Sequence, residues 1–294
     1  MRQPPVITAE QAAALIPDGA TVSVSSSSAI GLPEKVLAAI GAHFDATGHP
    51  RDITSLHAIN SGDMSDGLDG SNHLAKPGLL KRIIGGSYPA GPSSMPKPPV
   101  RQLLESDQIE AYMIPSGLMY QMHRAAAAKQ PGVLSDVGIG TYLDPRVEGG
   151  RMNAVSPELV RLMEVDGREW LFLPAIDVDV AIIRATTADP YGNLTFEDEA
   201  TALGALDIVY AAHNNGGVVI AQVKRLSDVK HPARQVEIPG VLVDAIVVDP
   251  EQRQVAGIDY DPAIAGTELK SLDEIDLAEF GVQKVIARRA AMEL

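Results

Sequence analysis

Hydroxyls and glycines, more than ionisable groups, make up the clearest chemical pattern in this chain. The stretch DGATVSVSSSSAIGLPE (18–34) carries four consecutive serines, Ser25, Ser26, Ser27 and Ser28, and then Gly31. Small polar residues recur at Asn60-Ser61-Gly62, at Gly85-Gly86-Ser87 and at Ser116-Gly117. Each group follows an apolar run, which puts it at the carboxyl end of a predicted strand. In a parallel α/β sheet the ligand crevice lies just outside those ends. There, small residues let a ligand approach the backbone, and free N–H groups at helix starts hold an anion or an oxyanion. Ordinary turns need Gly and Ser as well, so the pattern alone supports a binding wall and a set of turns equally.

Templates built on stronger nucleophiles fail. Gly138 and Gly140 lack the third glycine of a dinucleotide fingerprint, and no GxxxxGK[ST] loop occurs. Histidines at 43, 49, 57, 73, 123, 213 and 231 show neither HxH nor HExxH spacing, so no metal site is expected. His123, on a predicted helix, reads as a satisfied surface or interface residue. Ser87 is not in a GxSxG elbow, and Pro96 would break the helix that an SxxK motif from Ser94 to Lys97 requires. Glu148 reads as a loop charge beside flexible backbone. The chain has no cysteine, which excludes disulfides, cysteine zinc sites and thiolate nucleophiles.

The elements that must position these residues follow from patterning over 294 residues. Apolar residues make up 45% of the chain but aromatics only 4%, so the core is built from Ala, Val, Ile and Leu. Strands are predicted over 20–26, 52–59, 81–86, 109–115, 169–176, 178–186, 217–226 and 241–249. Helices are predicted over 8–15, 32–43, 98–106, 117–129, 156–163 and 199–213, with Ser116 as an N-cap. Strand–helix alternation, with several strands apolar throughout, predicts an α/β fold: an open, mainly parallel sheet with helices on both faces. Two Gly/Ser/Pro-rich stretches, 61–78 and 85–98, are long loops of the kind that often serve function. Net charge is −14, from 24 basic and 38 acidic residues, which argues against nucleic-acid or anionic-membrane partners. No signal-like core opens the chain and no run nears the roughly 20 apolar residues of a membrane span, so a cytoplasmic protein is expected.

The frame Asp18-Gly19-x-x-Val22-x-Val24 through Gly31-x-Pro33 resembles the α-type signature of family I CoA-transferases, with Ser25-Ser26-Ser27 standing where that signature has Gly-Gly-Phe. LKRIIGGSY (80–88), GIGTYLDPRVEGG (138–150), ATTADPYGNLTFE (185–197), VVIAQVKRL (218–226) and VEIPGVLVDAIVV (236–248) resemble the family in order along the whole chain. The serine-rich variant, with HLAKPGLLKRIIGGSYPAGPSSM (73–95), resembles the single-chain acetate, propionate or 3-oxoacid enzymes.

That resemblance implies a fold related to NagB and RpiA and a ping-pong transfer through a glutamyl-CoA thioester. It places the nucleophilic glutamate in a Glu-Asn-Gly or Glu-Gln-Gly motif of a β-type domain, and neither motif occurs here. Residues 1–249 are then the α-type domain and 250–283 a linker or arm. KVIARRAAMEL (284–294), whose pattern echoes ITAEQAAALIPDGATVSV (7–24), is then the first helix of the β-type domain. The isolated chain is expected to be inactive and to carry no catalytic residue. The substrate-binding wall is assigned to Ser25, Ser26, Ser27, Ser28, Gly31, Asn60, Gly86, Ser87, Ser116 and Gly117. Implied partners are acyl-CoA, short carboxylates and a separate or fused β-type CoA-transferase domain, in an oligomer of the full enzyme. Coenzyme A is substrate and product, with no permanent cofactor. A ligand-sensing module without activity and a sugar-phosphate isomerase are the alternatives on the same fold.

Overall fold

The computed structural model describes residues 3–62, 67–89 and 96–294, so parts of the two Gly/Ser/Pro-rich stretches, Ser94 among them, lie outside the described residues. A short strand β1 (Val6–Ile7) leads into α1 (Ala9–Ala13), whose start is fixed by a capping box between Thr8 and Gln11. Then come β2 (Thr21–Val24), α2 (Glu34–Thr47), which ends on Gly48 in a left-handed conformation, and β3 (Ile53–His57). The loop after β3 returns through a tight turn at Gly70–Leu74 to β4 (Leu80–Gly85), and α3 (Pro99–Glu105) leads to β5 (Glu110–Met113). α4 (Ser116–Ala127) precedes β6 (Gly132–Ser135), β7 (Arg161–Val165) and β8 (Arg168–Pro174). The chain then re-enters the main sheet through β9 (Val180–Ala188), β10 (Leu194–Thr195), α5 (Ala205–Asn214), β11 (Val218–Leu226) and β12 (Ala245–Val248). α6 (Val282–Ala291) lies far beyond β12 and buries none of its residues.

The main sheet runs in the order β1-β12-β11-β9-β2-β3-β4-β5, with every neighbouring pair parallel. β10 adds on to β9 antiparallel. Alternation along the strands splits the core in two. Val22, Val24, Val180 and Ile182 face α1, α2 and α3, where Ala12, Leu37, Ile40 and Leu103 pack against them. Ala181, Ile183, Leu56 and Ile84 face α4 and α5 through Leu118, Met122, Ile208 and Val209. All nine residues of β9 are buried, as an apolar strand covered on both faces must be. The expected open, mainly parallel α/β sheet is therefore what forms.

Several local expectations fail: the helix expected over 199–213 begins only at Ala205, and the strand expected over 241–249 only at Ala245, after a tight turn at Gly240–Leu242. Residues 156–163 are not helical: Pro157 starts an extended segment, and β7 pairs antiparallel with β8 across Asp166-Gly167, both at positive φ (51° and 73°). That dipeptide is the hairpin turn that right-handed strand twist favours. Ser116 does not cap α4, because Pro115 holds the cap position and no side chain bonds there, leaving Ser116 as the first helical residue. Beyond β12 the chain turns back onto the sheet, burying Gln252 and Gln254. No helix among the described residues is long and apolar enough to cross a membrane.

Candidate functional site

Strand order locates the crevice before any side chain is considered. From β2 the sheet grows through β3, β4 and β5 to one side, and from β9 through β11 and β12 to the other. The reversal falls between β2 and β9, and ligands bind outside the carboxyl ends at such a switch point. The serine loop leaves β2 at that place.

The four serines divide into two pairs. Ser25 is buried, with its N–H donating to Ile182 O (3.1 Å) and its hydroxyl to Leu203 O (3.2 Å). Ser26 is buried too, its hydroxyl hydrogen-bonded to that of Ser61. Ser27 and Ser28 are half-buried. Ser27 exchanges backbone bonds with Ile30 (2.9 and 2.8 Å), and Ser28, at φ 51°, donates to Asn60 O (2.7 Å) and accepts from Gly62 N (3.0 Å). This folds the loop back on itself and ties it to the loop after β3. Gly31 belongs to the base: at φ 61°, a Cβ there would lie 2.8 Å from Leu203 Cδ1, so glycine serves close packing under the loop.

The next strand ends continue the row. Asn60 donates from Nδ2 to Gly62 O (2.8 Å) and, at 3.5 Å, to Ser28 Oγ. Gly86 donates its N–H to His57 O (3.0 Å), and a Cβ on it would stand 2.4 Å from both Ala58 O and Ser116 Oγ. Ile114 N reaches Gly85 O (2.9 Å), which sets the start of α4 beside Gly86. As the first residues of α4, Ser116 and Gly117 have N–H groups without intrahelical acceptors. Ser27, Ser28, Asn60, Gly86, Ser87, Ser116 and Gly117 therefore sit on four successive strand ends, while Ser25, Ser26 and Gly31 lie beneath them.

Ser61, from the small-residue group after β3, completes the floor together with Ser55 and His57, two residues that sequence patterning leaves without a site role. Ser55 and His57 point to the same face of β3, with Ser55 Oγ 2.7 Å from His57 Nε2 and His57 Nδ1 2.5 Å from Ser61 Oγ. With Ser26 this makes a buried chain of four hydrogen-bonded side chains. The Ser-x-His alternation on a strand preceding a small-residue loop was the available signal. Burial pushes the His57 pKa down from 6.5 to about 4, so the ring is neutral at pH 7. His123 is likewise buried, not on the surface, with Nε2 2.9 Å from Ser23 Oγ and its pKa lowered by burial to about 4.

This row offers serine hydroxyls and the free N–H groups at the start of α4, but none of its residues is a carboxylate or a titrating base. It is equipped to bind and polarise a carbonyl, and to hold charge that develops on its oxygen. Glu148 lies elsewhere, in a cavity of about 480 Å³ beyond the edge strand β5, with Met113, Tyr142 and Arg151. Among the described residues no cluster of three or more His, Asp or Glu side chains could hold a metal ion.

Residues 6–249 match the family model described as Coenzyme A transferase. The caffeate CoA-transferase of Acetobacterium woodii is 40% identical over 98% of this chain and 54% of its own length. The crystal structure of the acyl-CoA transferase YdiF apoenzyme from Escherichia coli O157:H7 superposes with a TM-score of 0.89 at 39% identity, covering 99% of this chain and 55% of that one. YdiF has also been solved as a thioester complex with CoA. The alpha chain of the acetate CoA-transferase of Escherichia coli strain K12 is 24% identical over 84% of this chain and 98% of its own length. The chain thus spans about half the length of the first two proteins and nearly all of that alpha chain.

Proposed function

This chain belongs to the coenzyme A transferase family, and from that membership we propose that it is the α-type half of a short-chain acyl-CoA:carboxylate CoA-transferase. Residues 1–249 form the α-type domain and 250–283 an arm, and 284–294 open a β-type domain that carries the nucleophilic glutamate. The observation that carries this reading is the row of donors on four successive strand ends with no carboxylate in it. Such a wall can stabilise acyl-transfer transition states but cannot start them. The alpha chain of the acetate CoA-transferase, matched along nearly all of its length, supports the same division. So does α6, which exposes Val285 and Ile286 and buries nothing against this chain.

In this mechanism the acyl thioester lies along Ser27, Ser28, Asn60, Gly86, Ser87, Ser116 and Gly117, over a floor of Ser25, Ser26 and Gly31. The partner's glutamate attacks the thioester carbonyl, the C–S bond breaks, and CoA thiolate leaves behind an acyl-glutamyl anhydride. The thiolate then attacks the glutamyl carbonyl, expelling the first carboxylate and forming a glutamyl-CoA thioester. An acceptor carboxylate reverses both steps and departs as its CoA ester. Each addition places negative charge on a former carbonyl oxygen, and one preorganised donor to it is worth about 3 kcal/mol where water is excluded. Coenzyme A is substrate and product, and the working enzyme is a cytoplasmic oligomer of paired α- and β-type parts.

The test is to assay transfer from acetyl-CoA to a short carboxylate with this chain, with a β-type polypeptide, and with the two mixed. Turnover is expected only in the mixture. Robust turnover by this chain alone would overturn the assignment.

A further inference from the structure

We propose that the buried chain Ser55, His57, Ser61, Ser26 holds the His57 imidazole as its Nδ1–H tautomer and thereby aims the Ser26 hydroxyl proton at the ligand crevice. The tautomer follows from geometry alone; the use of that proton to stabilise an oxyanion rests on the transferase reading above.

Ser55 and His57 are two residues apart on β3, so both side chains leave the same face of the strand. Ser55, within β3, is fully buried, while Ser26, itself buried at 3% exposed, lies in the serine loop next to half-buried Ser27 and Ser28. The contacts between successive members are Ser55 Oγ to His57 Nε2 at 2.7 Å, His57 Nδ1 to Ser61 Oγ at 2.5 Å, and Ser61 Oγ to Ser26 Oγ. A neutral imidazole has one N–H donor and one bare nitrogen acceptor, and leaving the proton of buried Ser61 unused would be costly, so the protons run along the chain in one of two directions.

In the first direction Ser55 donates to Nε2, Nδ1–H donates to Ser61, Ser61 donates to Ser26, and the Ser26 proton is left to point outward. In the second, every bond reverses: Ser26 donates to Ser61, Ser61 to Nδ1, and Nε2–H to Ser55. The Ser55 proton then has no acceptor, because among the described residues His57 is the partner of its hydroxyl. An unpaired donor at the fully buried end is the costly arrangement. In the first direction the spare proton sits at the loop, where water or a bound carbonyl oxygen can accept it. The low pKa of His57 supports this picture by keeping the ring uncharged at pH 7. His57 is thus a positioning residue, acting on the ligand through Ser61 and Ser26.

Long-range proton–nitrogen NMR correlation on the ¹⁵N-labelled chain at pH 7 decides the tautomer, with His57→Gln used to assign the ring signals. A protonated Nδ1 and a bare Nε2 are expected; a protonated Nε2, or an imidazolium, would overturn the proposal. In the enzyme reconstituted with its β-type half, Ser55→Ala is expected to lower kcat about tenfold. That is less than the roughly hundredfold loss of a donor removed outright, because Ser26 keeps its hydroxyl and loses only its fixed aim. KM for acyl-CoA should stay within about twofold, because ground-state binding is untouched. Ser23→Ala, which removes an equally buried serine–histidine bond outside the chain, is the control for a merely structural effect. Equal losses of kcat in the two variants would refute the positioning role. If the wild-type pair shows no transfer at all, the transferase reading fails while the tautomer measurement still stands.

Discussion

The ion pair between Arg184 and Glu199 offers the sharpest energetic test of how the serine loop is anchored. Arg184 on β9 and Glu199 are each only 3% exposed at the side chain, and they meet in a two-pronged contact of 3.1 and 2.6 Å. The guanidinium also donates to Leu32 O and Gln254 O, both at 3.3 Å, and Gln252 Nε2 donates to Glu199 Oε1 at 3.3 Å. One cluster thus ties β9 to the base of the serine loop and to the segment after β12. Glu199→Leu would leave a buried guanidinium without its counter-charge, which costs about 3–5 kcal/mol. Replacing both partners, as Arg184→Met with Glu199→Leu, removes the stranded charge and should recover at least about 2 kcal/mol of that loss. Urea unfolding followed by far-UV circular dichroism gives each value from the shift in midpoint at constant slope. A cost below about 1 kcal/mol for Glu199→Leu, or a double variant no better than the sum of the singles, would refute the argument.

Other outcomes follow from the same geometry. Gly86→Ala sets a methyl against the fixed carbonyl of Ala58 and should destabilise by about 1–3 kcal/mol, read as a fall in melting temperature. Gly117→Ala, with nothing within 4 Å of the new methyl, should leave melting unchanged or slightly raised; equal losses in the two would contradict the close approach at Gly86. His57 and His123 are held neutral, with pKa values lowered from 6.5 to about 4. The unfolded chain takes up protons on them below 6.5 and the folded chain does not, so their contribution is fully present above pH 6.5 and shrinks as pH falls toward 4. The slope is at most about 1.4 kcal/mol per pH unit for each, and urea midpoints between pH 7 and 5 should show a shallower dependence in His57→Gln. A thermal-shift screen should show stabilisation of this chain by short acyl-CoA esters and none by sugar phosphates; the opposite ranking would favour an isomerase.

Much of the fold was legible because the apolar runs are long and unbroken. VDVAIIRAT and GVVIAQVKRL announce strands buried on both faces, and their alternation with Ala-rich helices leaves little choice of sheet. What was missed was short or governed by tertiary contact. β1 and β10 are two-residue additions whose pairing depends on β12 and β9, already in place. Residues 156–163 lost the helix to the β7–β8 hairpin, and Asp166-Gly167 was the local signal that could have shown it. For the site, the sequence located the loops but not the direction of their side chains. Ser25 and Ser26 turn inward because their hydroxyls find Leu203 O and Ser61 in the folded chain. His57 escaped notice because a buried histidine between serines matches no catalytic spacing, and its partners converge only when β2 and β3 lie side by side.

The most direct test of the central claim is the intact mass of each component after this chain, paired with a β-type half, is incubated with acetyl-CoA in the absence of an acceptor. The expected result is a CoA thioester adduct on the β-type half, with the mass of this chain unchanged. A CoA adduct on any glutamate of this chain would contradict the claim that it supplies the donor-lined wall and its partner the nucleophile.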